Sequence, residues 1–303
     1  MMCRSMAWLL FLVFGVFICL PGAGLAAEEG STPIRRGFGF SEVPGDWKAQ
    51  LSVGYLPSAD IHSIPGTVDM ADYRLKIARD IKLNDRLTLT LGGGYGLKHT
   101  DATFLADLPQ DLNALYFEAG ARYRINDKAF ASIKVSPGFY SDFKDLEGDD
   151  LRMPTLALGG YEFDNGITVV GGFMYRFGSR AKPFAPALGL TYQPNQSWKF
   201  DLVLPRPAVT YFASRQLQLF AAGEFTSDEY ELKGQPFGAK GIKYSDVRAM
   251  VGANYFPIPA VKISAAIGHT FDRKFVFYDG AFYRPNVVMD NVPFLNLSLN
   301  VGW

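Results

Sequence analysis

Leu295-Asn296-Leu297-Ser298-Leu299-Asn300-Val301-Gly302-Trp303 closes the chain with apolar side chains at every odd position and polar or small ones at every even position. Period two belongs to a β-strand, whose successive side chains leave opposite faces of the sheet. One face of this segment is therefore wholly apolar and ends in an aromatic ring. The same pattern recurs upstream. Val247, Ala249, Val251, Ala253 and Tyr255 alternate with Asp246, Arg248, Gly252 and Asn254. Leu115, Phe117, Ala119, Ala121 and Tyr123 alternate with Tyr116, Glu118, Gly120, Arg122 and Arg124, and Leu87, Leu89 and Leu91 with Thr88 and Thr90. Alternation of this kind from Trp47 to Trp303 predicts an all-β chain.

Turn signals divide the strands unevenly. Asn84-Asp85, Asn126-Asp127, Asp164-Asn165-Gly166, Pro194-Asn195, Ser214-Arg215 and Pro257-Ile258-Pro259 read as tight hairpins. Between them lie longer polar or mixed connections near residues 57–67, 99–112, 141–151, 178–183, 226–242 and 272–292. Short turns at one end and long loops at the other predict a closed antiparallel transmembrane β-barrel of 14 strands. That count takes Leu204-Pro205-Arg206-Pro207 as a seventh, very tight outer tip. The segments flanking it are shorter than a spanning strand usually needs, so a count of twelve also stays open.

A soluble barrel would turn its apolar face inward, whereas a membrane barrel turns it out. The aromatics choose between them. Tyr123, Phe163, Tyr192, Trp198, Tyr255 and Trp303 fall on the apolar register at the short-turn end, and Tyr55, Tyr73, Tyr95, Phe139, Phe177, Phe184, Phe225 and Phe271 at the long-loop end. Two rings of this kind are the girdles that sit at headgroup depth. Arg79 breaks the apolar register, close enough to a turn for its head to snorkel. The body has no apolar run of the roughly 18–20 residues that a spanning helix requires. Thirty basic against thirty acidic residues leave no field to attract nucleic acid.

The terminal strand, with Leu297, Leu299, Val301 and Trp303, resembles the signal that outer-membrane proteins present to the barrel-assembly machinery. Tyr123-Arg124-Ile125-Asn126-Asp127-Lys128, Val135-Ser136-Pro137-Gly138-Phe139-Tyr140-Ser141-Asp142-Phe143 and Leu204-Pro205-Arg206-Pro207 are similar to an uncharacterised family of Gram-negative outer-membrane β-barrel proteins. The resemblance covers about Trp47 to Trp303. It implies the barrel architecture and a setting of outer-membrane lipid and lipopolysaccharide, and it brings no catalytic or ligand residues with it.

The first residues read as an address. Arg4, the apolar stretch Ala7 to Leu20 and Gly24-Leu25-Ala26 have the layout of a secretory signal peptide over residues 1–26. A periplasmic segment at 27–46 and the barrel at 47–303 follow. A lipoprotein reading through Cys19 meets Ile18 where a small residue is needed. Cleavage would remove Cys3 and Cys19, the only cysteines, so no disulfide could form in the exported chain.

No phosphate-binding Gly-rich loop, metal-spaced Cys or His cluster or Gly-x-Ser-x-Gly elbow is present, and no cofactor is expected. Gly92-Gly93-Gly94 lies within a strand and reads as close backbone packing. His62, His99 and His269 fall at the long-loop end with Asp60, Ser63, Asp101 and Asp272 nearby in sequence, the raw material of a rim hydrolase. Exposed loops tolerate the same residues without any chemistry.

The inward register says more. Arg74, Lys76, Arg122, Arg124, Lys134, Arg152, Arg176, Lys199, Arg248 and Lys262 share it with Asp72, Asp80, Glu118, Glu162, Asp201, Glu224 and Asp246. These charges either line a wet channel with a mild anion preference or pair across the lumen and close it. The first case predicts a narrow passive pore for small polar or anionic solutes; the second predicts a surface scaffold or adhesin acting through its loops. A third reading, a transporter of hydrophobic compounds, predicts an apolar pocket lined by the loop from Asp272 to Asn291, which carries Phe275, Phe277, Tyr278, Phe282 and Tyr283.

Overall fold

The computed structural model describes residues 43–62, 65–103, 108–180, 183–233, 238–279 and 286–303. The signal-peptide reading and most of the 27–46 segment lie outside the described residues. So do Ser63, Phe282 and Tyr283.

The strands are β1 (Trp47–Asp60), β2 (Thr67–Lys82), β3 (Leu87–Ala102), β4 (Asp111–Arg124), β5 (Ala129–Val135), β6 (Gly138–Ser141), β7 (Leu151–Glu162) and β8 (Ile167–Phe177). They continue with β9 (Phe184–Tyr192), β10 (Trp198–Val203), β11 (Ala208–Phe212), β12 (Leu217–Glu231), β13 (Gly241–Ile258), β14 (Val261–Tyr278), the two-residue β15 (Val287–Val288) and β16 (Pro293–Gly302). β5 and β6 are two halves of one stave. Both pair with β4 and β7, and the break at Ser136-Pro137 falls where proline has no N–H for the ladder. Each stave pairs antiparallel with its neighbour, and β1 pairs with β16 from Lys48↔Gly302 to Tyr55↔Leu295, which closes a barrel of 14 staves.

The short turns lie where the sequence places them. Asn84 and Asn126 each accept hydrogen bonds through the side-chain carbonyl from the backbone N–H groups two and three residues on, and Gly166 takes a left-handed φ of 80°. Leu204-Pro205-Arg206-Pro207 is an outer tip, so the count is fourteen and the twelve-strand alternative falls. β10 and β11 are only six and five residues long because this hairpin turns back early.

The outward register is exposed and apolar. Leu75, Leu91, Phe117, Ile133, Val169, Leu188, Leu219, Val251, Ile267 and Leu297 present their side chains to the surroundings. The aromatic girdles bracket them. Trp47 and Trp303 stack at 6.4 Å, and the guanidinium of Arg79 lies over the Trp47 ring at 5.5 Å, the snorkelling geometry expected of an outward charge near a turn. A continuous apolar belt on a closed sheet is the surface that a bilayer solvates.

Gly172, on the inner face of β8, is required by packing. A Cβ there would collide with the carbonyl oxygen of Ala157 on β7. Gly172→Ala should therefore lower barrel stability by about 1–3 kcal/mol. The shift in urea midpoint measured by tryptophan fluorescence in lipid vesicles tests this. An unchanged midpoint would show that the wall yields.

The stretch read as a 272–292 loop divides in two. β14 runs on to Tyr278 beside β13, while residues 287–292 return inside and pair with Lys274 and Phe275 through β15. The cause is a bulge. Asp272 adopts φ 50°, the register slips between Val247↔Phe271 and Ser245↔Lys274, and the odd positions beyond it swing inward. Phe275 and Arg273 are consequently buried instead of facing lipid.

Candidate functional site: the barrel lumen

At the long-loop end the lumen is filled with apolar side chains. Leu56 of β1, Val68 and Met70 of β2, Leu112 of β4, Tyr230 of β12, Ile242 and Tyr244 of β13 and Phe275 of β14 form one cluster with Val287, Met289 and Val292 of the returning segment. Each strand residue sits on the inward register of a stave extended beyond the belt.

Next to this plug, toward the middle of the barrel, charged groups from β2 and β3 meet groups from β12 and β13. Lys98 on β3 bonds to Asp72 on β2 and lies over the Tyr244 ring at 4.5 Å. Arg248 on β13 reaches Asp72 at 3.3 Å and Asp246 at 2.8 Å, and the Tyr244 hydroxyl donates to Asp246 at 2.7 Å. Arg74 on β2 stands 3.8 Å from Asp228 on β12. The two walls are thus joined across the interior. Within this layer exposure divides sharply: Arg248 is 4% exposed, whereas the Arg74 and Asp228 side chains keep 44% and 35%.

Toward the short turns a further set of charged side chains faces the lumen. Glu118 holds Lys76 at 2.9 Å and Lys134 at 3.6 Å; Lys48 pairs with Asp80 at 2.6 Å, and Lys199 with Asp201 at 2.7 Å. Arg122 lies opposite Thr88 and Ser132 in the register with its guanidinium over the Phe130 ring at 4.5 Å, and Arg124 lies opposite Phe130. Lys262 shares this end, opposite Asn300. Glu224, opposite Arg248 in the β12–β13 ladder and so at the level of the cross-lumen layer, binds Arg206 of the outer β10–β11 tip.

Arg152 and Arg176 belong to a different structure, a clasp at the long-loop end. Glu231, at the end of β12 and 1% exposed, accepts from Arg152 at 2.8 Å and from Arg180 through Nε at 3.1 Å, and Ser141 of β6 bridges to it through the backbone. Arg176 donates to the Ser227 hydroxyl at 3.2 Å, and Ser179 to Glu229 at 2.6 Å. Beside the clasp Lys233 binds Glu147 at 2.6 Å and Asp149 at 2.9 Å. Hydrogen bonds to those carboxylates raise the Lys233 ammonium well above the usual lysine range, and its own bond lowers the Asp149 carboxyl.

The charged positions read from the sequence as inward do not form one uniform lining. They divide into the cross-lumen layer, the short-turn mouth and the clasp. Lys98, Asp228 and Glu231, which complete the layer and the clasp, were absent from the sequence-derived lining. Lys98 lies in the alternating register of a strand read as such and was legible there. Asp228 and Glu231 lie in the 226–242 stretch read as a long connection, which the structure shows to be the upper end of β12.

The histidines are placed at the long-loop end as expected. His99 pairs with Asp111 at 2.7 Å, His62 pairs with Asp290, and the His269 ring bonds to the Thr270 carbonyl at 2.9 Å. The acids found differ from those suggested by proximity in sequence. Both pairs are exposed, and among the described residues no serine hydroxyl is bonded to any histidine. No group of three or more metal-ligating side chains occurs among the described residues.

No protein-family model matches the chain, and a comparison with curated proteins finds no match. Solved structures do resemble it. An outer membrane channel from Pseudomonas putida F1 superposes with a TM-score of 0.48 at 14% identity, over 86% of this chain and 96% of that one. The CymD monoaromatic hydrocarbon channel gives 0.44 at 8%, covering 86% and 90%, and the KdgM porin in complex with disordered oligogalacturonate gives 0.38 at 9%, covering 84% and 99%. With its closed wall, apolar belt and paired aromatic girdles, the chain is a transmembrane β-barrel of the outer-membrane type.

Proposed function

We propose that the protein is a non-enzymatic, narrow passive channel for small polar or anionic solutes in the outer membrane of a Gram-negative cell. One observation carries this reading. Arg74 faces the interior beside buried Asp72 and Lys98, yet its side chain is 44% exposed, so solvent-sized space reaches the middle of the lumen. Arg122 and Arg124 at the short-turn mouth face neutral residues across the register, which leaves cationic groups where an anion would enter or leave. Export by the residue 1–26 segment, delivery through Leu297, Leu299, Val301 and Trp303 to the barrel-assembly machinery, and contact of the outer girdle with lipopolysaccharide complete the proposal.

Single-channel recording of the purified, folded protein in a planar bilayer tests it. Under a salt gradient the reversal potential should show anions passing more readily than cations. The double variant Arg122→Glu/Arg124→Glu should reverse that preference while leaving the barrel folded. A folded protein with no conductance would overturn the channel and favour a closed scaffold.

A further inference from the structure

Tyr116 on β4 and Tyr140 on β6 both stand on the inward register and are half-buried. In the ladders Tyr116 lies between two glycines, Gly94 of β3 on one side and Gly138 of β6 on the other. A Cβ at Gly94 would meet the Tyr116 hydroxyl oxygen at 2.5 Å and Cζ at 2.6 Å, so the ring lies across the β3 backbone toward β2. Only glycine permits that close approach. The Tyr140 ring is nearly parallel to it, with centroids 6.4 Å apart and 11° between the planes. Rings offset by that much do not cover each other. Together they make a flat aromatic platform at the edge of the apolar plug, against which both pack.

Arg74 stands beside this platform. It shares a row of the sheet with Tyr140, and only Gly96 and Ala114 come between them. Within that row nothing larger than a methyl group separates the guanidinium, whose side chain is 44% exposed, from the Tyr140 ring. The loose partner of Arg74, Asp228 at 3.8 Å, also has Lys98 at 3.9 Å, so Asp228 keeps a cation when Arg74 turns to another anion. Toward the short turns Lys76 at 2.9 Å and Lys134 at 3.6 Å offset the charge of Glu118. The inner face next to this group is apolar. Lys134 lies opposite Leu156 in the β5–β7 ladder, and from there Leu156, Leu158 and Met174 continue the inward register, each half-buried. Hydroxyl groups set against Leu156 and Met174 would lose water and gain no partner, whereas an arene would lose nothing.

We infer that Arg74, Tyr116 and Tyr140 form a binding subsite for small aromatic carboxylates, with the carboxylate on the guanidinium and the ring on the tyrosine platform. The inference rests on the channel reading and names a substrate class for that channel. A guanidinium grips a carboxylate through two parallel hydrogen bonds and fixes its plane, and a flat ring gains from offset stacking on tyrosine. Neither feature selects alone. The guanidinium by itself would take any small anion, and the platform by itself would take a neutral arene.

Saturation-transfer NMR on the folded protein in detergent micelles, with sodium benzoate as the probe and protein-free micelles as the blank, measures the affinity without requiring conductance. Benzoate should bind saturably, about tenfold more tightly than acetate, which has the charge without the ring, and than benzyl alcohol, which has the ring without the charge. Arg74→Met and Tyr116→Leu should each weaken benzoate binding by about tenfold. Arg74→Lys, which keeps the charge without the planar fork, should fall between Arg74→Met and wild type. Tyr140→Leu takes the place of Tyr116→Leu if that variant lacks the circular dichroism of a folded barrel. Acetate or benzyl alcohol binding as tightly as benzoate, D-glucuronate binding at least as tightly, or an unaltered benzoate affinity in the folded variants would each overturn the subsite. Single-channel recording separates this outcome from the channel reading. Ion conductance without benzoate binding overturns the subsite and keeps the channel; benzoate binding that is lost in Arg74→Met, in a protein that does not conduct, supports the subsite and overturns the channel.

Discussion

Arg248→Met should lower the unfolding free energy of the barrel by about 3–5 kcal/mol, the usual cost of removing one partner from a buried ion pair. Arg248 is 4% exposed and sits between two carboxylates, Asp246 at 2.8 Å and Asp72 at 3.3 Å. Methionine fills similar space and supplies no charge. Asp72 would keep Lys98, but Asp246 would keep only the Tyr244 hydroxyl in a part of the lumen closed to water. Arg74→Met offers the internal control. Its pair with Asp228 is longer, at 3.8 Å, and both side chains are more than a third exposed, so its loss should cost no more than about 1 kcal/mol. Urea unfolding in lipid vesicles measures both. Equal losses in the two variants would mean that the layer is uniformly solvated and that Arg248 has no special place in it.

The second large effect belongs to Glu231→Ala. This carboxylate is 1% exposed and accepts from two arginines on different staves, Arg152 of β7 and Arg180 beyond β8. Truncating it should cost about 3–5 kcal/mol by leaving Arg152, itself 6% exposed, without its anion. The functional consequence differs from that of Arg248. With the clasp released, the ends of β6 to β8 lose their hold on β12, and single-channel records should show added openings of larger amplitude. Glu231→Gln, which keeps the shape and a neutral acceptor, should fall between Glu231→Ala and wild type in both readouts. Stability loss with unaltered conductance would make the clasp a structural element only.

The wall of this protein is legible in its sequence because the requirement on it is simple. A residue such as Leu91 or Leu297 must face lipid and its neighbours must not, and a period of two expresses this without any long-range information. The hairpins were readable for a similar reason: Asn84, Asn126 and Gly166 are chosen by local backbone geometry. The interior obeyed no such rule. Whether Arg248 would meet Asp72 depends on how far two walls 176 positions apart approach each other, and nothing local reports that distance. The plug was hidden by a single residue. Until Asp272 bends the chain, Phe275 and Phe277 continue the outward register of Phe271, and only the bulge turns them into core. The β10–β11 hairpin was the mixed case. Its brevity was plain in the Leu204-Pro205-Arg206-Pro207 spacing, where it served only to raise doubt about the strand count. What a low pair of staves does to the wall around it becomes visible when the neighbours on both sides are known to rise above it.

At the seam between β1 and β16, Trp47 and Trp303 exchange two backbone hydrogen bonds of 3.0 Å. The succession of staves is therefore a ring in which the chain's own beginning and end are an accident of where the ribbon is cut. Joined at this seam and reopened at a long connection, the same residues would have the same neighbours in the same order. The thermodynamics of the wall would hardly notice. Under the proposed delivery through Leu297, Leu299, Val301 and Trp303, assembly would, because a different strand would then come last. Completing a wall and, on that proposal, being recognised before there is a wall are physically separate demands on one set of side chains.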